Sequence, residues 1–282
     1  MADKVTLRRM IKLLMIAAKI DMMWLLRDTK YALAAISADI IANLSAVSGV
    51  FLIAVRFGGI GGMSSDEVLF MMSYSTLVTG LFILFGAQNN IHISRIIGRG
   101  QLEHLFIQPM PLKAQLLTCG FSPFTGSGNF IVGIILTFIS LRRLQLAVTP
   151  LWLLSMIGYL LLTMVIIIAR AYLVSSLAFW APAAAEEISS TAIDGTWLLS
   201  TFPLSGMPGM IQLPLLTILP EGLMAWFPSL CLLGRPPLGL SPLYPMAYAL
   251  IISMIAGYFF RKGLNYYVKT GANRYLPYGF RR

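Results

Sequence analysis

Residues 151–179 read LWLLSMIGYLLLTMVIIIARAYLVSSLAF, and Arg170 is the single charged side chain among them. A helix needs about 20 mostly apolar residues to cross the hydrocarbon core of a bilayer. Because the stretch exceeds that length, it predicts a membrane-spanning helix and indicates an integral membrane protein.

The composition of the whole chain agrees with this prediction. Hydrophobic residues make up 57% of the 282 residues and charged residues 11%, whereas about 25% of a typical soluble domain is charged. The 21 lysines and arginines outnumber the 11 acidic residues. Because the basic residues gather beside apolar segments, we interpret them as topology signals and contacts with anionic membrane lipids. A nucleic-acid partner is therefore not expected.

Five more apolar stretches are candidates for further spans: 31–55, 68–87, 114–140, 188–203 and 243–260. A glycine-rich turn at 58–62 precedes the second, and Ser64-Ser65-Asp66-Glu67 is typical of a helix start, with hydroxyl caps followed by acids. The third contains Pro123 and several glycines, and the fifth is short. Together the stretches predict an all-α membrane protein with about six transmembrane helices, in which residues 31–282 form a single transmembrane domain.

Lysines and arginines are distributed unevenly among the predicted loops. Seven lie in residues 1–30, three in 91–113 and six in the basic tail 261–282. The other side of the membrane would hold four: Arg56, Arg142, Arg143 and Arg235. Cytoplasmic loops collect Lys and Arg. We therefore predict a multi-pass protein of the cell inner (plasma) membrane, with both termini and the basic tail in the cytoplasm.

Residues of about 204–240 are predicted to form a re-entrant hairpin before the last span. The segment contains Pro214, Pro220 and Pro228, and a full crossing here would move the six basic tail residues to the outer side. Broken backbone at membrane depth is tolerated only where protein or water covers it. The hairpin should therefore lie on the outer face and pack against other helices.

Residues 1–30 have the pattern of an amphipathic interfacial helix. Leu7, Ile11 and Leu14 recur at helical spacing, and Arg8 and Lys12 lie on a neighbouring stripe. Such a helix lies in the membrane interface with its cations at the lipid headgroups. A solvated basic leader is the alternative interpretation.

Side chains that could carry out chemistry are few. His92 and His104 are too far apart for a histidine-based metal motif. Cys119 and Cys231 lie in apolar stretches without a CxxC pattern. No GxxxxGK[ST] loop is present to hold a nucleotide. We therefore expect a chain that is not an enzyme and that holds neither a metal nor a cofactor.

Acidic side chains at membrane depth are costly and frequently functional. Asp39, Asp194 and Glu221 are such groups, and they are possible polar groups of a transport pathway or a proton relay. The alternative is a structural role, in which each caps a helix end or pairs with a nearby cation. Glu186 and Glu187 are adjacent and point apart on a helix, so we interpret them as a solvated helix start.

The stretch IGRGQLEHLFIQPMP covers residues 97–111 and contains an unusual apolar pattern for a loop. Glycines open it and prolines close it, which leaves about two helical turns between them. Leu102, Leu105 and Phe106 are spaced at i, i+3 and i+4, so a short helix would have one apolar face. That face could pack against the chain's own spans or bind a partner, and the residues alone leave both open.

This stretch resembles the intracellular coupling helix of type-two ABC exporter permeases. Three further features resemble the same family. They are the basic interfacial helix before the first span, the proline-rich region from Phe202-Pro203 to Phe227-Pro228, and the tail with Gly263-Leu264-Asn265-Tyr266-Tyr267 and Arg274-Tyr275. The resemblance implies the permease subunit of an ABC exporter, which forms the translocation pathway and couples it to ATP hydrolysis.

The resemblance also implies partners and a mechanism. A separate ABC ATPase subunit would hold ATP and Mg²⁺, and its closure would push a coupling helix at about 98–109 that turns spans two and three as a lever. A second permease, as a homodimer or heterodimer, would complete the pathway. The residues implied in coupling to the ATPase are Gly98, Gly100, Leu102, Glu103, Leu105, Phe106 and Pro109.

Two other functions stay open on the residues. An ion-gradient-driven secondary transporter would work without an ATPase, and Asp39 and Asp194 lie in opposite halves of the chain, as its paired ion sites would. A membrane-embedded lipid-modifying enzyme would need carboxylates or histidines clustered on the spans. The 11 acidic residues of this chain are scattered instead.

The distribution of basic residues generates a topological prediction. Reporter fusions after Lys4 and after Arg282 should both report a cytoplasmic location, because the basic flanks resist translocation. Each fusion is made with one reporter that is active only in the cytoplasm and one that is active only outside it. A signal from the outside reporter at Arg282 would contradict the even number of crossings.

Overall fold

A computed structural model of the protein describes four ranges of the sequence: 7–85, 93–118, 121–188 and 202–271. Their regular structure is helical, apart from an isolated bridge between Ile60 and Met63. The α-helices that lie wholly in these ranges are α1 (Leu7–Arg27), α2 (Thr29–Phe57), α3 (Ser65–Phe85), α4 (Ile93–Gly98), α5 (Leu102–Phe106), α6 (Leu112–Thr118), α7 (Ser127–Leu144), α8 (Pro150–Ser175), α9 (Gly209–Thr217), α10 (Trp226–Leu232) and α11 (Tyr244–Thr270), and residues 185–188 are also helical. Short 3-10 turns occupy Ser176–Phe179, Pro182–Ala184, Leu204–Gly206, Pro220–Leu223 and Pro237–Gly239.

The predicted all-α membrane fold is confirmed. By length and composition, α2, α3, α7 and α8 with its 3-10 continuation could each cross a membrane, and the bent pair α9 and α10 could count as a fifth span. The predicted last span lies in α11, which continues past Arg261 and Lys262 to Thr270. The predicted span over 188–203 falls almost entirely outside the described residues. The count of six therefore stays a prediction.

The third span differs from the prediction of one helix over 114–140. The short α6 ends at Thr118, and α7 begins only at Ser127 after a turn over 123–126. Pro123 lacks the N–H that would continue the helical hydrogen bonds. The turn instead leaves backbone N–H groups free to bind a side chain from α1.

The start of α3 follows the sequence prediction in detail. Glu67 donates its N–H to the Ser64 Oγ at 3.3 Å, and the Ser64 N–H donates to Glu67 Oε2 at 2.8 Å, which is a capping box. In the turn before it, Gly58, Gly59, Gly61 and Gly62 all have positive φ. We call the end of the bundle that carries residues 58–64 and the starts of α3 and α8 the glycine-turn end. The opposite end, which carries residues 93–118, is the short-helix end.

Helix α3 lies at the centre of the bundle, with 72% of its apolar stretch buried. It packs along its whole length against the antiparallel α7. Facing pairs along this contact are Gly80 and Phe130, Leu77 and Gly133, Ser73 and Ser140, and Asp66 and Arg143. A Cβ atom at Gly80 would overlap the Phe130 backbone, and one at Gly133 would lie 2.8 Å from the Leu77 nitrogen. Small residues at these positions let the two backbones approach closely, which is how helices associate in lipid.

Helices α8 and α11 form a second, parallel pair. Near their starts, the Tyr159 hydroxyl donates to the Pro242 carbonyl at 3.0 Å. Towards the short-helix end, the ring of Tyr172 lies 5.1 Å from that of Phe260. Beyond it, Gly263 of α11 leaves room for the ring of Phe179, which a Cβ atom there would overlap.

Both ends of the segment from 204 to 235 lie at the glycine-turn end. Its beginning touches the glycine turn, where a Cβ atom at Gly61 would overlap the Gly206 backbone. Its end is held there by an ion pair between Arg235 and Glu67. Between these points α9 and the stretch Pro220–Leu232 meet at 75°. Both ends at one end of the bundle with a bend between them are consistent with the re-entrant hairpin, which stays a prediction, and we call residues 204–235 the hairpin.

Side chains of the surrounding helices bind two carbonyl groups of this segment that lack helical partners, one beside its break and one at the end of α10. The Tyr244 hydroxyl donates to the Leu216 carbonyl at 2.7 Å. The Trp152 indole Nε1 donates to the Leu232 carbonyl at 2.9 Å. Unsatisfied carbonyls at membrane depth each cost several kcal/mol, on the order of 2–7. These donors are therefore a condition for keeping the hairpin inside the bundle.

Three basic residues near the glycine-turn end, Arg142, Arg143 and Arg235, have structural partners. Arg143 lies 3.5 Å from Asp66, and Arg235 pairs with Glu67, so both acids in the first turn of α3 are matched by arginines from other elements. Arg142 lies over the Phe138 ring at 4.5 Å. The ion pair of Arg235 joins the end of the hairpin to the start of α3.

One buried carboxylate binds helix α1 to the turn before α7. Asp21 accepts hydrogen bonds from the Phe124 N–H at 2.8 Å, the Thr125 N–H at 3.2 Å and the Thr125 hydroxyl at 2.5 Å. These are the donors exposed by the break before α7. Apolar side chains such as Ile16 and Ile20 are exposed on α1. An amphipathic helix in the membrane interface is consistent with that exposure and stays a prediction.

The close contact between α3 and α7 generates the second prediction. Gly80→Leu should lower the free energy of unfolding by about 1–3 kcal/mol, because overpacking forces the two backbones apart. The measurement is the thermal midpoint of the purified protein in detergent, followed by size-exclusion chromatography. Gly158→Leu on α8 is the matched control, since a Cβ atom there meets nothing within 4 Å. Equal midpoints for the two variants would contradict the packing argument.

Candidate functional site

The short-helix end is built from α4, α5 and α6, which follow one another through tight turns. Gly100 has a φ of 68°, a left-handed conformation that glycine adopts without strain. Gly98 plays a different role, because a Cβ atom there would overlap Ala185 and lie 2.8 Å from the Pro182 carbonyl. The two glycines predicted to open the coupling helix therefore make a turn and a close contact.

The predicted helix over about 98–109 is shorter in the structure, where α5 covers Leu102–Phe106. Its apolar side chains point in two directions. Leu102 is fully buried and Leu105 is half-buried, and both pack into the chain's own core. Phe106 is 42% exposed and Ile107 is 82% exposed. The apolar surface available to a partner is thus formed by Phe106 and Ile107, and the pattern of i, i+3 and i+4 did not indicate Ile107.

A small core cluster supports α5 from inside the chain. Its fully or nearly fully buried members come from α4, α5, the end of α8, the segment after it and α11: Ile93, Ile97, Leu102, Ala178, Phe179, Ala185 and Tyr267. Burial, with a smaller contribution from the nearby Glu103 carboxylate, raises the pKa of Tyr267 to about 12. Tyr267 therefore stays neutral at physiological pH, and its ring lies 6.2 Å from that of Phe106.

Gln115 fixes the loop between α5 and α6. Its side-chain Nε2 donates to the Leu105 carbonyl at 2.9 Å and to the Met110 carbonyl at 2.6 Å, and the side chain is buried. Glu103 and Pro109 lie on the exposed side of this region. A helix of five residues is not stable alone. Gln115 and the core cluster hold it in place.

Glu186 lies at a helix start and is exposed, as predicted, but it also has ion-pair partners that the sequence did not indicate. Its carboxylate lies 2.6 Å from the Arg95 Nε and 2.7 Å from an Arg99 terminal nitrogen. One residue earlier, the Ala185 carbonyl accepts a hydrogen bond from the buried Ser94 hydroxyl at 2.7 Å. These contacts join α4 to the segment that follows α8. They were missed because the partners are about 90 residues apart in sequence.

The three acidic residues predicted at membrane depth have different surroundings. Asp39 lies on an exposed side of α2, and Asp194 is outside the described residues. Glu221 is 2% exposed and forms an ion pair with Arg170 at 2.7 Å. For Glu221 the structure thus shows the alternative that the sequence left open, pairing with a cation.

The ion pair of Arg170 and Glu221 lies deep in the bundle. Helix α8 rises about 1.5 Å per residue, which places Arg170 roughly 30 Å along it from Pro150. About two helical turns nearer the glycine-turn end than Arg170, the Thr163 hydroxyl bonds with the Tyr74 hydroxyl at 3.1 Å and with the Leu223 carbonyl at 3.5 Å. The pair therefore attaches the tip of the hairpin to α8 inside the helix bundle.

Two clefts lie away from these acids. One, of about 330 Å³, lies between the glycine turn and the hairpin and includes Gln212, Trp226 and Arg235. The other, of about 630 Å³, runs along α11 past Arg261 and Lys262. Neither is lined by Asp39 or Glu221. Among the described residues, no group of three or more His, Cys, Asp or Glu side chains could hold a metal ion.

Comparison with known families decides the class of the protein. Residues 40–271 match the family model described as ABC-2 family transporter protein. The chain belongs to this family. The match runs from α2 to the end of α11 and so includes the short-helix end, the hairpin and the buried ion pair. Curated proteins and solved structures contain no match to the chain.

Membership of the ABC-2 family makes the chain a membrane permease of an ABC transporter. It also implies an ABC ATPase subunit as a partner. A transport subunit, rather than the lipid-modifying enzyme, is what this family supports. The predicted resemblance to type-two ABC permeases is thereby confirmed.

The buried ion pair generates the third prediction. Arg170→Met should destabilise the protein by about 3–5 kcal/mol, because it leaves the Glu221 carboxylate buried without its cation. Replacing both, Arg170→Met with Glu221→Leu, should recover most of that loss. Arg261→Met is the control, since it makes the same change at an exposed arginine. The thermal midpoint in detergent reports each effect, and a double variant as unstable as Arg170→Met would contradict the coupling.

Proposed function

We propose that the chain is the permease subunit of an ABC exporter. It forms the translocation pathway together with a second permease, identical or homologous, in the cell inner (plasma) membrane. A separate ATPase subunit holds ATP and Mg²⁺ and binds at the short-helix end. Both termini of the permease lie in the cytoplasm.

The observation that carries this proposal is the exposed apolar pair Phe106 and Ile107. Ile107 is 82% exposed at the tip of a helix that Leu102 and Gln115 hold in place. An exposed apolar residue on a rigid support is suited to a pocket in a partner, since binding need not pay the entropy of ordering it. The family membership supplies the class of partner, an ABC ATPase.

The charge distribution supports the orientation. Arg95 and Arg99 lie at the short-helix end, and α11 brings Arg261, Lys262 and Lys269 towards the same end. Basic residues accumulate on the cytoplasmic side. The ATPase is on the cytoplasmic side. The apolar pair Phe106 and Ile107 lies at the same end as these basic residues, so both features support placing the short-helix end in the cytoplasm.

The need for a second permease is supported by what the bundle leaves exposed. Only 17% of the apolar stretch of α2 is buried, against 72% for α3. Asp39 lies on the exposed part of α2, where an acid facing lipid would be costly. A second permease against α2 would cover it and would form a pathway between two chains.

One of the residues that could bind an ion in a secondary transporter is already paired, which argues against that alternative. Glu221 is already neutralised by Arg170 at 2.7 Å. A proton- or ion-binding carboxylate would have to exchange that partner during each cycle. An ATP-independent transporter would also leave the exposed pair Phe106 and Ile107 without a role.

The fourth prediction tests the docking of the ATPase. Ile107→Asp should weaken binding of the ATPase subunit at least about tenfold, because burial of such a side chain contributes roughly 1.5–3 kcal/mol. The charge adds a desolvation cost in a dry interface. The measurement is co-purification of the ABC ATPase with the tagged permease from native membranes, together with ATP hydrolysis by the complex in nanodiscs.

Two controls make the outcome specific. Ile107→Leu keeps an apolar side chain of similar volume and should bind as the unaltered chain does. The thermal midpoint of Ile107→Asp without ATPase should stay unchanged, because Ile107 contributes little to the permease core. Full ATPase binding by both Ile107→Asp and Phe106→Asp would refute docking at this surface.

A further inference from the structure

We propose that Glu186 is a positioning residue that fastens the short-helix end to α8, and that α8 carries ATP-driven movement from there to the re-entrant hairpin. The inference rests on the proposed function, since it assumes an ATPase at the short-helix end. It departs from the expected lever through spans two and three. The difference lies in which spans the short helices are attached to.

The first step is the attachment of α4. Its two arginines, Arg95 and Arg99, both contact the Glu186 carboxylate, at 2.6 and 2.7 Å. The Ser94 hydroxyl is fully buried and donates to the Ala185 carbonyl. Gly98 allows the same helix to lie directly against this segment. Charge, hydrogen bond and backbone contact thus act at one place, which we call the Glu186 clamp.

The second step is the connection from the clamp to α8 and α11. The 3-10 turn Ser176–Phe179 continues α8 without a gap, and its Phe179 ring lies 5.4 Å from Phe260 and 5.9 Å from Tyr267, both on α11. Tyr267 in turn contacts Phe106. A close-packed aromatic cluster has low compressibility and transmits displacement. Movement of α5 is therefore passed to the pair of α8 and α11.

The third step concerns the contacts that α4, α5 and α6 make apart from the Glu186 clamp. Within the described ranges, the main packing of α4 is on α8 and on the two 3-10 turns after it, and α6 packs on α1 and α5. Their links to α3 and α7 run along the chain through residues 86–92 and 119–126. A lever needs a firm side contact, and among the three short helices α4 has that contact with α8.

The fourth step is the contact between α8 and the hairpin. Three residues of α8 contact the hairpin at different levels. Trp152 and Thr163 bind the Leu232 and Leu223 carbonyls, and Arg170 forms an ion pair with Glu221. The last of these is a buried ion pair, which has a strong preference for one geometry. A shift of α8 along or about its axis would therefore move the hairpin tip with it.

The experiment measures movement of the hairpin in the complete complex. A single cysteine replaces Met210, which is 88% exposed on α9, in a chain with Cys119→Ala and Cys231→Ala. It carries an environment-sensitive bimane label, and the permease–ATPase complex is placed in nanodiscs. The emission shift on adding MgATP and vanadate reports ATP-driven movement of the hairpin.

With the native clamp, MgATP and vanadate should shift the emission. Glu186→Arg should abolish that shift while the ATPase still co-purifies, because the clamp holds α4 on α8 and does not form the docking surface. The combination of Glu186→Arg with Arg95→Glu and Arg99→Glu restores opposite charges and should restore the shift. A residue that merely stabilises the fold would not be rescued in this way.

Each other outcome has a distinct meaning. An unchanged shift in Glu186→Arg would overturn the clamp, and loss of the ATPase in this variant would show that Glu186 serves docking instead. No shift with the native clamp would overturn the route to the hairpin. Failure of the unaltered permease to bind any ABC ATPase would refute the proposed function itself, which the clamp variants do not test.

Discussion

The structure depends on the rule that broken backbone inside a membrane must find hydrogen-bond partners within the protein. The segment from 204 to 235 enters the bundle, turns by 75° and leaves at the same end. Its freed carbonyls are reached by Tyr244, Trp152 and Thr163 from neighbouring helices. The hairpin therefore exists only because α3, α8 and α11 surround it.

That enclosure explains why the rest of the bundle is packed as it is. To cover the hairpin, α3 must lie in the centre, and a buried central helix in lipid gains nothing from hydrophobic driving force. Close approach to α7 through Gly80 and Gly133 supplies dispersion contacts instead. The same helix α8 that donates to the hairpin also ends in the aromatic cluster at Phe179. One element thus reaches from the hairpin to the surface where the ATPase is proposed to bind.

Local sequence signals predicted much of the fold and little of the site. The capping box at Ser64 and Glu67, the glycine turn and the long apolar stretches are read from neighbouring residues, and the structure contains them. The partners of Asp21, Glu186 and Glu221 lie between about 50 and 104 residues away. Charge alone could not choose among 21 basic residues for Glu186 and Glu221, and the partners of Asp21 are backbone N–H groups and a hydroxyl. The sequence predicted one span where the structure has two helices before and after Pro123. An apolar stretch that contains a proline can form either a kinked span or two helices.

The divided apolar face of α5 shows why periodicity fails for a helix of this length. A surface helix is expected to bury one stripe and expose the other. Here Leu102 enters the chain's own core and Ile107 points away from it. A coupling element must be held by its own subunit from one side and bound by another subunit from the other. In the proposed docking, apolar residues are required on both sides, so the amphipathic pattern that identifies ordinary helices is lost over Leu102 to Ile107.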